Sequence, residues 1–403
     1  MNCNKNLISL IVITLLNMGL TIVSSFLLAH LLQVDERGEF QLFITSITYV
    51  ATISVGGIGF TFTLCMRNKM YDHWHYYFYF FVTGSIFVAV LSLYFFSITE
   101  WTYLFIINVI STSILTITLE KSKIDSNLKI YRILSIQQPI LAVLIYGIYY
   151  LLYGEQNVKN VLDLLTIIAL IQVLSCIYFL SKINKDFKIK HDIRKIELAF
   201  FVKTWLKQNL LQVFGATTVN LDKFLIVSLM GNYFLGLYTV CLTFDALLTK
   251  ILNMLADYYY SGLLNNINRI KIILAIVLLI IISGLVIIPN LSEYIVRLFF
   301  GPKYIEVCST LFWFMFNSIL AGLSWILSQN MLILGKQILL FTRQVISILV
   351  LVILFYSFKD LGLYGISYAL IGASSVRLII SIFYYYKYPI LKNCNETIIR
   401  DIK

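Results

Sequence analysis

Six charged residues stand where an apolar chain should carry none. Asp222 and Lys223 are adjacent inside an apolar run over 205–230, Asp245, Lys250 and Asp257 lie in the next run, and Arg377 lies in the last. An ionised side chain at membrane depth costs roughly 2.5–3.5 kcal/mol even on the mildest insertion scale, so each one calls for a partner or a task. The default task is a polar path through the bilayer, and the ammonium of Lys250 with the guanidinium of Arg377 leaves a cationic excess suited to phosphate. Lys223 can neutralise either carboxylate, and a Lys223–Asp245 ion pair that only locks two helices together remains open beside the transport roles. Arg343, near the start of the eleventh run, is expected to snorkel to the nearer surface.

Other reactive residues read more plainly. His73-Trp74-His75 offers two ligands in a polar loop without an acidic or cysteine partner, which does not make a metal site. His30 reads as interfacial. Glu120, Lys121, Lys123 and Asp125 read as a solvated bend. The six cysteines are dispersed, without the spacing of a disulfide framework or a zinc site, and no cofactor is expected.

The elements that must position the charged residues are transmembrane helices. Of 403 residues 60% are hydrophobic and 13% charged, with mean hydropathy +0.86. A bilayer core of about 30 Å takes about 20 apolar residues per helix, and runs of that length recur from 7–32 to 362–386. Twelve spans follow, the second over 40–66, the seventh over 204–230 and the eighth over 236–262. If the seventh and eighth form a hairpin about Tyr233, Asp222 and Asp245 come to one depth near the midplane, with Lys250 one to two turns beyond.

The net charge of +11 is carried by Lys and Arg at span ends and forms no separate basic domain, so it encodes topology and not nucleic-acid binding. Its bias places both termini in the cytoplasm. The chain divides into a six-helix bundle over 1–182, an amphipathic cytoplasmic linker over 183–203, a second six-helix bundle over 204–386 and a cytoplasmic tail over 387–403. The turn LLQVDERGEF (31–40) overlays LMGNYFLGLY (229–238), so that Gly38 and Phe40 fall on Gly236 and Tyr238. An even number of spans per half gives the halves the same orientation, as in parallel-repeat transporters.

Four segments carry a likeness to a known family. They are LLAHLLQVDERGEFQLFITSITYVATISVGGIG (27–59), NLDKFLIVSLMGNYFLGLYTV (220–240), VRLFFGPKYIEVCSTL (296–311) and LGLYGISYALIGASSVRLII (361–380). Together they resemble the O-antigen or polysaccharide-unit flippases, within the superfamily that also holds multidrug and toxic-compound extruders. The resemblance implies an all-α polytopic membrane protein of V-shaped exporter type in the bacterial inner membrane. It implies translocation of an undecaprenyl-diphosphate-linked repeat unit from the cytoplasmic to the periplasmic leaflet by cation-coupled alternating access. Lys250, Arg377 and Lys223 would then line a cationic cavity for the lipid-linked oligosaccharide, and Asp222 or Asp245 would bind H+ or Na+. Membrane lipids, a polysaccharide polymerase and a chain-length regulator are the implied partners in lipopolysaccharide biosynthesis. The absence of a basic residue from span one separates the chain from the lipid-linked peptidoglycan precursor flippases.

The main alternative is a cation-coupled multidrug extruder of the same superfamily, which should favour acidic cavity residues. An integral-membrane polymerase should carry a long external loop with charged catalytic residues. The longest external connection, 292–305, holds only Glu293, Arg297 and Lys303, and no catalytic constellation is visible along the chain, so no enzyme activity is expected.

Overall fold

In lipid every backbone polar group must be satisfied within the protein, and a chain of long apolar runs meets that demand by forming helices. The computed structural model describes residues 2–96, 100–124, 128–190, 194–264 and 267–389. Its helices are α1 (Asn2–Leu31), α2 (Val34–Val55), α3 (Ile58–Arg67), α4 (Trp74–Phe96), α5 (Thr102–Ser122), α6 (Lys129–Tyr153), α7 (Val158–Lys190), α8 (Leu198–Met230), α9 (Asn232–Leu264), α10 (Ile270–Phe299), α11 (Cys308–Ile333), α12 (Gln337–Phe358) and α13 (Leu363–Lys387). Among the described residues, twelve helical stretches are long and apolar enough to cross a membrane, with α2 and α3 together forming one of them. The chain is a multi-pass, nearly all-helical protein, as its apolar runs predict.

The second span begins earlier than its hydropathy suggests. Residues 34–39 form the first turn and a half of α2 instead of a loop, because Gln33 and Glu36 make a capping box and Asp35 and Glu36 face the positive helix end. The same span is broken at Gly56-Gly57. Gly57 has φ of +76°, and a Cβ there would stand 2.5 Å from the Gln208 side chain, so only glycine fits. The amide groups freed by the break are bound from α8: Asn209 Nδ2 donates to the carbonyls of Ile53 and Gly56 at 3.1 Å, and the Gly57 N–H donates to Gln212 Oε1 at 2.9 Å.

The expected surface helix over 183–203 is instead shared among three elements. α7 continues to Lys190, a two-residue strand β2 (Arg194–Lys195) pairs in parallel with β1 (Met70–Asp72), and α8 starts at Leu198. Residues 191–193 lie outside the described residues, as do 390–403 and Asp125.

Two compact units result, residues 1–224 and 225–403, and the division falls inside α8. In the first unit α1 packs on α6, and α5 packs on α2 and α7. Its core includes Phe43, Val50, Phe105, Val109 and Leu162, with a second cluster around Phe62, Tyr71 and Phe201. In the second, α11 is central, packed against α9, α13 and α10, while α12 packs on α13. Close approach of α9 and α11 depends on Gly322, where a Cβ would meet Leu252 at 2.5 Å. The core there is built on Leu248, Leu252, Tyr259, Ile273 and Ile326.

Candidate functional site

The charged residues singled out by the sequence fall into separate environments. Asp222 and Lys223 are buried, 9% and 8% exposed. Lys223 Nζ lies 3.2 Å from Asp222 Oδ1 and donates to the Val219 carbonyl one turn back at 2.7 Å, so the ammonium is held by its own helix. The turn between α8 and α9 is at Gly231 and not at Tyr233. Asp222 is therefore nearer the turn, and Asp245 farther from it, than a hairpin about Tyr233 would place them. Asp245 is half-buried on α9 and accepts a hydrogen bond from Ser318 Oγ of α11. Lys250 and Asp257 are exposed.

Arg377 does not stand alone. It donates from Nη2 to Ser374 Oγ at 3.2 Å, and its neighbour across α13 and α12 is Arg343. Arg343 does not snorkel: it is only 5% exposed and turns into the second unit. One terminal nitrogen, Nη1, donates to Ser381 Oγ of α13 at 2.6 Å, to the Ser324 carbonyl and hydroxyl of α11 at 3.1 Å each, and to Ser328 Oγ. Ser324 Oγ in turn donates to the Arg377 carbonyl at 3.2 Å, so one set of serines joins both arginines. The Nε groups of Arg343 and Arg377 are buried with no hydrogen-bond partner. Among the described residues no carboxylate lies within salt-bridge distance of either guanidinium. The two guanidiniums have different serine partners, Ser374 for Arg377 and Ser324, Ser328 and Ser381 for Arg343, and each keeps a buried Nε left over.

The distance of Arg343 from its span end permits snorkelling and so hides this role in the sequence. A usable signal was present: Ser324 and Ser328 are one helical turn apart on α11, and Ser374, Arg377 and Ser381 share a face of α13.

The first unit treats its cations differently. Lys121 does not mark a solvated bend but is completely buried at the end of α5. Its Nζ lies 4.1 Å from the centroid of Trp74, 4.6 Å from Tyr71 and 5.9 Å from Phe62, and it donates to Asn184 Oδ1 of α7. Tyr71 stacks on Trp74 and donates to the same Asn184 oxygen at 3.0 Å. Burial, with Cys65 nearby, pushes the Tyr71 phenol well above its usual range, which keeps it a neutral donor. Arg37 on α2 is buried as well and donates to Ser25 Oγ of α1 at 2.8 Å. His73 pairs with Asp72 at 3.3 Å on the surface, and among the described residues no three His, Cys, Asp or Glu side chains gather as metal ligands.

The first unit also holds two cavities, of about 330 and 160 Å³. Both touch Ile44, Gln138, Leu165 and Ile168, so they adjoin. Their polar lining is hydroxyl and amide throughout, and among the described residues no charged side chain reaches either one.

Known structures with this arrangement of helices exist. A chain described as the inward-facing conformation of a multidrug resistance MATE family transporter of the MOP superfamily superposes with TM-score 0.66 at 13% identity, over 94% of this chain and 96% of that one. The fold is that of the MATE transporters. A MATE in the bent conformation gives TM-score 0.53 at 13% identity over 94% of each chain, and a MATE in the straight conformation gives 0.52 at 14% over 96% and 97%. At such identities the likeness concerns the MATE fold and carries no residue assignments. No family profile matches the sequence. No curated protein matches it. In this MATE-like framework, the chemistry available is anion binding at Arg343–Arg377, cation binding at the carboxylates, and neutral hydrogen bonding in the first unit.

Proposed function

We propose that the protein is an exporter of the bacterial inner membrane, with both termini cytoplasmic, that works by alternating access on an amphiphile with an anionic, phosphate-bearing head. The cargo of this reading is an undecaprenyl-diphosphate-linked polysaccharide repeat unit. The observation that carries it is the Arg343–Arg377 pair. A buried and a half-buried guanidinium, each with a buried, unpaired Nε and with no carboxylate in reach among the described residues, favour a ligand that brings negative charge, and the planar guanidinium donor set matches phosphate oxygens. Lys250, exposed on α9, would add to the attraction, and Lys223 belongs to the same proposal although Asp222 already holds it. Asp222 and Asp245 are the candidate sites for H+ or Na+.

A second reading, a cation-coupled multidrug extruder, is favoured by what the solved structures of this fold are described as being. Its cargo would be cationic, and for it the arginine pair would repel the substrate. Reconstitution into proteoliposomes separates the two. The first reading expects translocation of a fluorescent polyprenyl-diphosphate sugar that falls to background in Arg377→Gln, with no ethidium transport. Ethidium transport that survives Arg377→Gln, with no movement of the lipid-linked sugar, would establish the extruder instead.

A further inference from the structure

Asp245, Arg343 and Arg377 all meet one helix that carries no charge of its own. α11 has no Asp, Glu, Lys, Arg or His, yet its Ser318 donates to Asp245 of α9, its Ser324 and Ser328 accept from Arg343 of α12, and the Ser324 hydroxyl donates to the Arg377 carbonyl of α13. Neutral groups on one helix thus serve both signs of charge. The division is sharpest at two consecutive residues. Ser318 turns towards α9 and its carboxylate, while Asn317, rotated by about 100° round the helix, faces α13, where its Oδ1 accepts from Ser374 Oγ at 2.6 Å. Ser374 is 4% exposed and accepts in turn from Arg377 Nη2 at 3.2 Å. Asn317 stands one hydroxyl away from the guanidinium.

We propose that Asn317 sets the ionic selectivity of the Arg343–Arg377 site. By ending the chain Arg377–Ser374–Asn317 in a neutral amide, it withholds the carboxylate that would cancel the charge of Arg377. The inference rests on the anionic reading of that site and goes beyond it, since it names the residue on which the sign of the ligand turns.

The hydrogen bond alone does not call for an amide. Ser374 needs an acceptor, and a carboxylate of the same shape would take its proton in a stronger, charge-assisted bond. That carboxylate would also attract the guanidinium beyond Ser374 and compensate it. The amide forgoes the stronger bond and leaves Arg377 with no carboxylate in salt-bridge distance among the described residues. Asp245, the carboxylate that α11 does bind, is held through Ser318 towards α9. The site therefore keeps its positive charge for a ligand.

The test is the binding of inorganic pyrophosphate to the full-length protein in nanodiscs of neutral phosphatidylcholine, followed by titration calorimetry, with the melting temperature of each variant recorded beside it. Asn317→Asp should weaken binding about a hundredfold, the effect of one opposite unit charge a serine's width away at an effective dielectric of about 20. Asn317→Leu removes the acceptor without adding charge and should weaken binding only about fivefold, the worth of one hydrogen bond. Ser374→Asp sets its carboxylate directly against the Arg377 guanidinium and should abolish binding, and it decides the question if Asn317→Asp melts too low to be assayed. A merely structural Asn317 would reverse the order, because the leucine variant loses the tie to α13 and the aspartate variant keeps it. The proposal is overturned if the aspartate variants bind pyrophosphate as tightly as the original protein, or if Asn317→Leu loses as much as Asn317→Asp. An original protein that binds no pyrophosphate would remove the anionic reading of the site and this inference with it, whereas binding that is indifferent to the charge at 317 and 374 would remove this inference alone.

Discussion

The two units handle buried positive charge in opposite ways. In the first, Lys223 has Asp222, and Lys121 has three aromatic rings and Asn184. In the second, Arg343 and Arg377 have serine hydroxyls and each other. A cation with a resident counterpart is part of the scaffold. Like charges that have only neutral acceptors hold a positive potential in a poorly hydrated place, and an incoming anion gains from it. The first unit also encloses neutral polar space, in two cavities that no charged side chain lines among the described residues.

The largest effect should come from removing charge in the second unit. Arg343→Met removes a buried cation without a counterion and its repulsion of Arg377, against the loss of the hydrogen bonds from Nη1 to Ser324, Ser328 and Ser381, so the net change in stability is small, about 1 kcal/mol. Flipping of the labelled lipid-linked sugar should drop to background while thermal stability is kept within that margin. Lost stability with retained flipping would mean that Arg343 is a strut like Lys121, and the contrast between the units would collapse.

A smaller effect is expected where the first unit compensates its own charge. Asp222→Asn leaves the buried Lys223 ammonium with neutral acceptors only, the introduced amide oxygen and the Val219 carbonyl, and breaking a buried pair from one side costs about 3 kcal/mol. Adding Lys223→Met should restore most of that loss. Chemical denaturation of the single and double variants measures it. If the double variant is as stable as the original yet its transport no longer responds to the ion gradient, Asp222 has the coupling role as well.

The division between what was legible and what was not follows from dimension. Twelve spans could be read because span length is a one-dimensional property set by bilayer thickness. The break at Gly56-Gly57 was hidden because glycines near the end of an apolar run look the same whether the helix stops or restarts, and only Asn209 and Gln212 on α8 decide it. Asp222, Lys223, Asp245 and Arg377 stood out by charge, but their partners lie on other turns and other helices. Arg343 was assigned to the surface by counting residues from its span end, whereas the Ser324, Ser328 and Ser381 hydroxyls draw it inward. The neutral cavity left no mark, since Ser, Thr, Asn and Gln occur in most spans and become a site only when α1, α2, α5, α6 and α7 face one another.

Lys121→Met should have the smallest effect, and it tests whether the aromatic box is purely structural. A desolvated cation over aromatic rings contributes about 2 kcal/mol, and the rings of Trp74 and Tyr71 both lie in range. Methionine would return part of this, because a thioether against aromatic faces is worth about 0.3–1.5 kcal/mol and the side chain fills nearly the same volume. Asn184 Oδ1 keeps the Tyr71 hydroxyl as a donor, so no buried acceptor is stranded. The net loss is about 1 kcal/mol, read as a lower melting midpoint, with Trp74 fluorescence altered because its stacking partner Tyr71 stays in place while the cation leaves. Flipping per folded molecule should be unchanged. If Lys121→Met instead abolishes flipping at full stability, the buried cations of the first unit also serve the cargo, and resident compensation is not what separates the two units.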